Sequence, residues 1–588
     1  MRGIQFSGLA VLLALSAGCS SSKATDDDTG PPSDGAGTSE TDTDDADTDD
    51  TSTDDTGAGD TARDSGDTGA SAPSPCGVER FAGTLTWLEL DGLCPEDGSP
   101  LLVDGNATLS AEADHTDLQS FSCICEITGD LRIKSNPSLV NLVGLEALER
   151  IGGDLEIDNN PVLQRVGGLE SVASIGGDVA ILQNDLLHNL AGLERVATIG
   201  GDLLVAENPL LVAFDGLDAL THIGGELAIR ESASLERLGG LRALTDCDGL
   251  RMSYAPELYA LDGLAALERA TAGVWIEDMV NLEALDFTSL REAGALVIDA
   301  NPSLVSLPEW PDLTATGELI VEQNHNLAAI TLTGLETVDG FVSIQTNRSL
   351  TALTLDALTS ASDLLVDNND RLESFAGPDR LTALSGALSV SQNTSLTSLT
   401  GFEGLESAGS ISVDSNALLT FSGLSALTSV DGSVLIAREP ALETLAAMPA
   451  LAETGGLYLQ ELTSLQTLSS LAALTSVAGD LSVESCNGLR SLGDLANLER
   501  VDGSMMLYQN TGLESIGASM ALTHLGALNI IYNNVLTDVT GLHGVTQVDD
   551  SLSITSNHAL SQVAIDALID AIGEANIGGT ITVENNKE

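Results

Sequence analysis

Four cysteines stand close together in the N-terminal quarter of the chain: Cys76, Cys94, Cys123 and Cys125. Thiols at this density either form disulfides or bind a metal ion. No histidine accompanies them at ligand spacing, so disulfides are the expected chemistry. Cys123 and Cys125 are too close to bridge each other without strain. Each is therefore expected to pair with Cys76 or Cys94, and the sequence leaves both arrangements open.

The residue types of catalytic centres are present but scattered. Lysine occurs only at Lys23, Lys134 and Lys587, and none of them follows a Gly-rich phosphate-binding pattern. The sequence also has no His-Glu-x-x-His zinc motif and no Gly-x-Ser-x-Gly nucleophile motif. Carboxylate pairs such as Asp158 and Asp278 would suit a polysaccharide-cleaving β-helix enzyme, but so acidic a chain offers such pairs almost anywhere. We expect no enzyme activity, no cofactor and no metal site.

Charge and composition narrow the function classes further. The 588 residues include 22 basic and 88 acidic ones, which gives a formal net charge of -66. This field repels phosphate backbones, so nucleic acid is excluded as an expected partner. Hydrophobic residues make up 43% of the chain and aromatic residues only 3%. Leu, Ile, Val and Ala must therefore fill a thin core of uniform cross-section.

The first residues read as an export signal. Arg2 is followed by an apolar run and by small residues before Cys19, which predicts a signal peptide over residues 1–18. Leu15 to Cys19 resembles a bacterial lipobox, in which the cysteine is acylated, although the usual Leu sits one place early; ordinary cleavage beside an incidental cysteine is the alternative. Ser20 resembles an outer-membrane sorting signal. We expect a protein lipid-anchored at Cys19 to the bacterial outer membrane, at the cell surface or on the periplasmic face.

Residues 19–75 consist mainly of Asp, Thr, Ser and Gly. They predict a disordered, self-repelling tether behind the acylated Cys19. No register of this tract supplies the Gly and Glu of a calcium-binding EF-hand loop. Residues 76–128 are expected to form a cysteine-containing N-terminal cap.

From residue 129 onward a unit recurs every 22 to 24 residues, with the consensus Gly-Asp-Leu-x-Ile-x-x-Asn-x-x-Leu-x-x-Leu-x-Gly-Leu. About twenty coils result. The eighth position is Asn in fourteen of them: 136, 160, 184, 208, 301, 324, 347, 369, 393, 416, 510, 533, 557 and 586. The exceptions are Ser232, Ala255, Met279, Glu439, Leu462 and Cys486. An inward Asn amide can satisfy the backbone of the neighbouring coil, so the pattern predicts an Asn ladder.

The alternation Leu-x-Ile places both apolar side chains on one face of a short strand, and stacking of coils pairs each strand with the next in parallel. The fold class is therefore mainly β: a right-handed parallel β-solenoid over residues 129–563. Residues 564–588 are expected to close it with a helix and a last coil, the helix burying Ile565, Leu568, Ile569 and Ile572. Cys247 and Cys486, many coils apart, are expected to be buried free thiols.

The repeat unit resembles the receptor L domain of the insulin and EGF receptor ectodomains and of fungal cell-wall proteins, over nearly all of residues 129–588. The resemblance implies a leucine-rich-repeat-like solenoid, an extracytoplasmic location and a role in binding or wall organisation. No ligand-contacting residues carry over, and the chain departs from the receptors in having about twenty uninterrupted coils and no Cys-rich module.

Aromatic residues concentrate in one irregular part of the array. Trp275 lies between the Leu and Ile positions of its strand, where a side chain points outward, and Val297 and Ile320 follow it in the next coils. Tyr254, Tyr259, Trp275 and Trp310 are the ligand-binding candidates, while a second irregular region around Glu439, Leu462 and Cys486 has few aromatic residues. We expect recognition of an extracellular protein or glycan through the solenoid face. The alternatives are a structural envelope component and the β-helix enzyme.

Overall fold

The computed structural model describes Cys76 and residues 79–89, 93–112, 114–517 and 520–588. The signal peptide, Cys19 and the tether predicted over residues 1–75 lie outside the described residues. The described chain folds as a parallel β-solenoid with a 32-stranded sheet. The predicted fold class, mainly β with stacked repeats, is confirmed. Among the described residues, no helix has the length and apolarity needed to cross a bilayer.

Each coil contributes one strand built on the Leu-x-Ile motif, which we call its front strand; together these strands form the front sheet. The separate front strands are Leu85–Thr86, Ala107–Ser110, Leu131–Lys134, Leu155–Asp158, Val179–Leu182, Leu203–Ala206, Glu226–Arg230, Val342–Gln345, Leu364–Asp367, Leu481–Glu484, Leu552–Thr555 and Ile581–Glu584. In the other coils the front strand merges with the residues before it: Asp246–Ser253, Arg269–Glu277, Glu292–Asp299, Ala315–Glu322, Ala383–Ser391, Ser407–Asp414, Ser429–Ala437, Glu453–Gln460, Arg500–Tyr508 and His524–Ile531.

Shorter elements complete the coils. Short strands precede the separate front strands at Glu79–Ala82, Leu101–Asp104, Ile124–Ile127, Arg150–Ile151, Ser174–Ile175, Thr198–Ile199, His222–Ile223, Thr337–Val338, Ser476–Val477 and Gln547–Val548. A second, five-stranded sheet comprises Ala329–Thr331, Ala352–Thr354, Ser374–Ala376, Ser398–Thr400 and Thr420–Phe421. The 3-10 turns are Trp87–Glu89, Gln119–Phe121, Gly239–Leu241, Asp262–Leu264, Ser469–Leu471, Gly493–Leu495, Thr540–Leu542 and Glu574–Asn576.

The segment expected as an N-terminal cap is built like the repeats. Strand Leu85–Thr86 pairs in parallel with Ala107–Ser110, which in turn pairs with Leu131–Lys134. The solenoid therefore begins before residue 129, and the cap consists of further coils. Two disulfides hold it, Cys76–Cys125 and Cys94–Cys123, with Cα atoms 5.8 and 5.5 Å apart. The structure thus decides between the two pairings that the sequence leaves open.

Strand alternation builds the core as expected. In Leu131–Lys134 the side chains of Leu131 and Ile133 are buried, whereas those of Arg132 and Lys134 are half-buried on the outer face. The C-terminal helix Gln562–Ile572 buries Ile565, Leu568, Ile569 and Ile572, which confirms the predicted apolar face. The hydroxyl of Ser561 caps its first turn by accepting a hydrogen bond from the Ala564 amide.

The Asn ladder is confirmed at all fourteen positions, and Asn160 shows its geometry. The Asn160 Oδ1 accepts a hydrogen bond from the backbone N of Asn136 (3.1 Å), and its Nδ2 donates to the carbonyl of Ile133 (2.9 Å). Each ladder Asn therefore joins its own coil to two buried backbone groups of the coil before it. Cys486, in a ladder position, and Cys247 are buried free thiols, as predicted, and burial raises the pKa of both to about 12.

The residue before each ladder position has a positive φ in every coil, from Ala111 (59°) to Asn585 (56°), and none of these residues is glycine. A left-handed backbone costs a residue with a side chain about 1 kcal/mol or more. The turn nevertheless recurs because it directs the next side chain into the ladder. It also points the left-handed residue outward, so these residues form a row along one edge of the front sheet.

A second ladder, not predicted from the sequence, lies at the Gly-Gly-Asp corner that leads into the early front strands. The Asp154 amide donates to the Asp130 carboxylate (3.0 Å), and the Asp178 amide donates to Asp154 in the same way (3.0 Å). A Cβ at Gly177 would lie 2.2 Å from the Asp154 Oδ1, and one at Gly176 would lie 2.1 Å from a backbone oxygen of the preceding coil. Both glycines are therefore needed for the coils to approach.

Candidate interaction surface

The front sheet places Trp275, Val297 and Ile320 side by side on its outer face. Trp275 is the register partner of Val297, and Val297 of Ile320. We call these three residues the Trp275 strip. Trp275 and Ile320 are half-buried, whereas Val297 is only 8% exposed because its neighbours cover it. The outward direction is as predicted, but part of this row is shielded from solvent.

Neighbouring side chains hold Trp275 in place. The guanidinium of Arg251 lies over its ring, 4.3 Å from the centroid, an arrangement that contributes about 0.5–2 kcal/mol. Arg251 is itself held by Glu226 (2.8 Å) and Glu277 (3.4 Å). A Cβ at Gly273 would lie 2.9 Å from the indole Cη2, so glycine leaves the space that the ring occupies. The indole is thus presented in a defined orientation.

Trp310 does not belong to this surface, and its prediction as a ligand-contacting residue is wrong. Its side chain is 1% exposed, its Nε1 donates to the carbonyl of Phe287 (2.8 Å), and its ring stacks on Phe287 at 5.6 Å. Trp310 fills the core of a coil whose Pro-Glu-Trp-Pro segment replaces the usual repeat. The side chain of an aromatic residue in an irregular repeat can point into the core or toward solvent, and only the path of the backbone decides between the two.

The two predicted tyrosines are exposed but stand apart from the strip. Tyr254 is 63% exposed and occupies the left-handed position after the front strand Asp246–Ser253; Tyr259 is 49% exposed and lies further along the coil. No ring contact among the described residues joins any two of Tyr254, Tyr259, Trp275 and Trp310. The four candidates therefore do not form one aromatic platform.

A row of carboxylates borders the strip, two residues further along each strand. Glu277, Asp299 and Glu322 are register partners in successive strands. Burial, followed by repulsion from Glu322 and Asp278, raises the pKa of Asp299 above its ordinary value. The described residues contain no group of three or more His, Cys, Asp or Glu that could hold a metal ion. The strip is thus an apolar centre with an acidic rim.

A groove that the sequence did not predict lies near the second ladder irregularity, around Glu439, Leu462 and Cys486. This feature, which we call the Tyr508 groove, has a volume of about 640 Å³. Its lining includes Arg438, Gln460, Glu461, Glu484, Tyr508 and Gln509.

The groove receives an aromatic ring, that of Tyr508, from the coil that follows Cys486. The Tyr508 ring contacts that of Tyr532 edge to face, with centroids 5.9 Å apart. The signal was their separation of one repeat length, because residues one repeat apart lie on adjacent coils.

No protein-family model and no curated protein matches the chain. Among solved structures, it is similar to a leucine-rich repeat protein from Bacteroides ovatus, with 12% identity, 63% of this chain and 88% of that chain covered, and a TM-score of 0.23. It is also similar to TLR13 in a complex with ssRNA13, with 14% identity, coverage of 82% and 81%, and a TM-score of 0.21. The strand register and the Asn ladder themselves identify the chain as a leucine-rich-repeat-like parallel β-solenoid.

Proposed function

We propose that the chain is an exported, lipid-anchored binding protein, attached to the outer membrane through Cys19, whose front sheet recognises an extracellular protein. The sequence supports export through the predicted signal peptide. The disulfides Cys76–Cys125 and Cys94–Cys123 support it as well, because such bonds persist in oxidising compartments and are rare in the cytosol.

The Trp275 strip is the observation on which the binding role rests. A solvated sheet face ordinarily carries polar side chains, whereas here Trp275, Val297 and Ile320 form an apolar row. A Trp held in one orientation within an apolar patch that has a polar rim is an arrangement typical of protein-binding hot spots. The acidic rim of Glu277, Asp299 and Glu322 favours a partner with basic groups at its margin.

Site-specific photo-crosslinking on intact cells tests this role. A photoreactive amino acid at Ile320 is expected to give a discrete adduct, whereas the same amino acid at Ser553, in the same outward row of a late coil, is not. Trp275→Ala should abolish the Ile320 adduct and leave the amount of folded protein unchanged. An adduct that forms equally at Ile320 and Ser553, or that survives Trp275→Ala, would contradict the proposal.

Anchoring and location are tested separately. The Cys19→Ala variant should move the protein from the membrane fraction to the soluble fraction. Protease treatment of intact cells should release the solenoid by cutting within the predicted tether. Protection until the outer membrane is broken would place the protein on the periplasmic face instead.

The alternative role is a structural envelope component. The observation that favours it is the continuity of the front sheet, in which parallel pairing runs from Leu85–Thr86 to Ile581–Glu584. Removal of whole coils outside the Trp275 strip should then weaken the envelope in proportion to the length removed. A recognition protein should tolerate those deletions and fail when the strip is lost.

A further inference from the structure

We propose that the Tyr508 groove is a second binding site and that its ligand is a neutral oligosaccharide. The groove crosses four successive coils, from Arg438 to Tyr508 and Gln509. At about 4.8 Å per strand these coils span roughly 14 Å, a length suited to a short oligosaccharide. The groove begins five coils, or roughly 24 Å at that spacing, beyond Ile320, the last residue of the Trp275 strip, so the two sites are independent.

The aromatic surface of the groove is the ring of Tyr508, which neighbouring side chains hold in place. Tyr508 is half-buried, and its ring and that of Tyr532 meet edge to face with centroids 5.9 Å apart. The Gln509 side-chain amide donates to the Tyr508 hydroxyl (3.1 Å). These contacts fix a ring that combines an apolar face with a polar edge. Such a face fits the C–H side of a sugar ring, while the surrounding polar groups can meet its hydroxyls.

The polar lining carries groups that recognise hydroxyls in pairs. Gln460, Glu484 and Gln509 offer planar amide or carboxylate ends, which accept or donate two hydrogen bonds side by side. Two of these ends are positioned in advance: Glu484 accepts from the Ser482 hydroxyl (2.6 Å), and Gln509 is bonded to Tyr508. Groups already ordered lose less conformational entropy when a ligand binds.

Charge selects a neutral ligand over an anionic one. The groove contains one cation, Arg438, against the carboxylates of Glu461 and Glu484, which gives a local charge of -1. Arg438 is already engaged by Asp414 and by the Ser415 hydroxyl (2.8 Å). A phosphate or an acidic sugar would therefore meet repulsion without a free counter-charge. A neutral polyhydroxyl ligand meets neither penalty.

The local irregularity of the ladder coincides with the groove. The left-handed residues Arg438, Glu461 and Ser485 line it, and the ladder residues directly behind them are Glu439, Leu462 and Cys486, none of which is Asn. Three of the four coils under the groove thus lack the ladder Asn, and the fourth, which carries Gln509, keeps it at Asn510.

Calorimetric titration of the purified full-length protein tests the proposal. The probes are the neutral hexasaccharides cellohexaose, maltohexaose, mannohexaose, xylohexaose and chitohexaose. At least one is expected to bind, Tyr508→Ala should weaken that binding at least about tenfold, and Tyr508→Phe should retain it because the ring remains. The matched control Gln392→Ala changes an exposed left-handed Gln outside the groove and should leave binding intact, whereas Gln509→Ala should weaken it.

Two outcomes would overturn the site: no binding of any of the five probes, or equal binding by Tyr508→Ala and the unaltered protein. Preferential binding of a basic peptide in the groove would also replace the oligosaccharide assignment. The Trp275→Ala variant should bind the hexasaccharide normally, so that failure of this inference and failure of the proposed protein-binding role are distinguishable.

Discussion

Replacing a ladder Asn by its isosteric acid is the most direct test of how the solenoid is stabilised. Asn347 is fully buried. Its Oδ1 accepts a hydrogen bond from the backbone N of Asn324 (3.0 Å), and its Nδ2 donates one to the backbone carbonyl of Val321 (2.8 Å). In Asn347→Asp the first hydrogen bond can persist, but a carboxylate oxygen then faces the carbonyl oxygen. Shape is preserved, so no cavity term enters the comparison.

The expected cost follows from the two groups that lose their partners. A buried carbonyl left without a donor costs about 1–3 kcal/mol, and a buried carboxylate without a compensating cation brings the total to about 3–5 kcal/mol. Burial raises the folded-state pKa of the new Asp above its unfolded value. The folded state of the variant is therefore most stable at a pH below the unfolded-state pKa of this Asp, and it loses stability as pH rises through the folded-state pKa. The protonated acid, unlike the carboxylate, can donate to Val321.

Urea unfolding followed by tryptophan fluorescence, at about pH 7 and about pH 4, measures this effect as the difference between variant and unaltered protein. The deficit should be several kcal/mol near neutrality and should shrink in acid. The control Asn368→Asp makes the same exchange at a half-buried left-handed position, where the amide only donates to the Thr346 hydroxyl, and should cost less than about 1 kcal/mol. Equal losses in the two variants, or a deficit independent of pH, would refute the ladder reasoning.

Three further predictions concern the core, the acidic row and the glycine corner. Trp310→Ala should destabilise the chain by about 3–5 kcal/mol in urea unfolding, because it empties a core position; a change below about 1 kcal/mol would show that the ring is not buried. Burial raises the pKa of Asp367 above its ordinary value, so its stabilising contribution is present below the unfolded-state pKa and is lost as pH rises through the folded-state pKa. Asp367→Asn should therefore raise the unfolding midpoint near neutrality and flatten its pH dependence, and an unchanged pH profile would contradict this. Gly177→Ala should cost about 1–3 kcal/mol because its Cβ would overlap the Asp154 carboxylate, whereas Gly167→Ala, with its nearest contact at 3.4 Å, should cost far less; similar losses in both would argue against the crowded corner.

The repeat sequence determined the architecture of this protein. The alternation in Leu131–Lys134 puts Leu131 and Ile133 in the core whatever their long-range partners are, because side chains alternate along a strand. The Asn spacing predicted the ladder for a similar reason: one repeat length brings equivalent residues onto adjacent coils, so a local pattern implies its own tertiary contact. The apolar face of the C-terminal helix likewise followed from periodicity alone.

Only the tertiary structure decided where the individual surface features lie. The pairing of Cys76 with Cys125 depends on the path of the irregular first coils, and the burial of Trp310 depends on a local backbone turn that the repeat consensus does not describe. The Tyr508 groove arises from side chains on four coils whose outward positions vary freely in type. A repeat constrains the residues that pack inward because every coil must fill the same cross-section. It places no such constraint on outward residues, and so their grouping into surfaces emerges only when the coils are stacked.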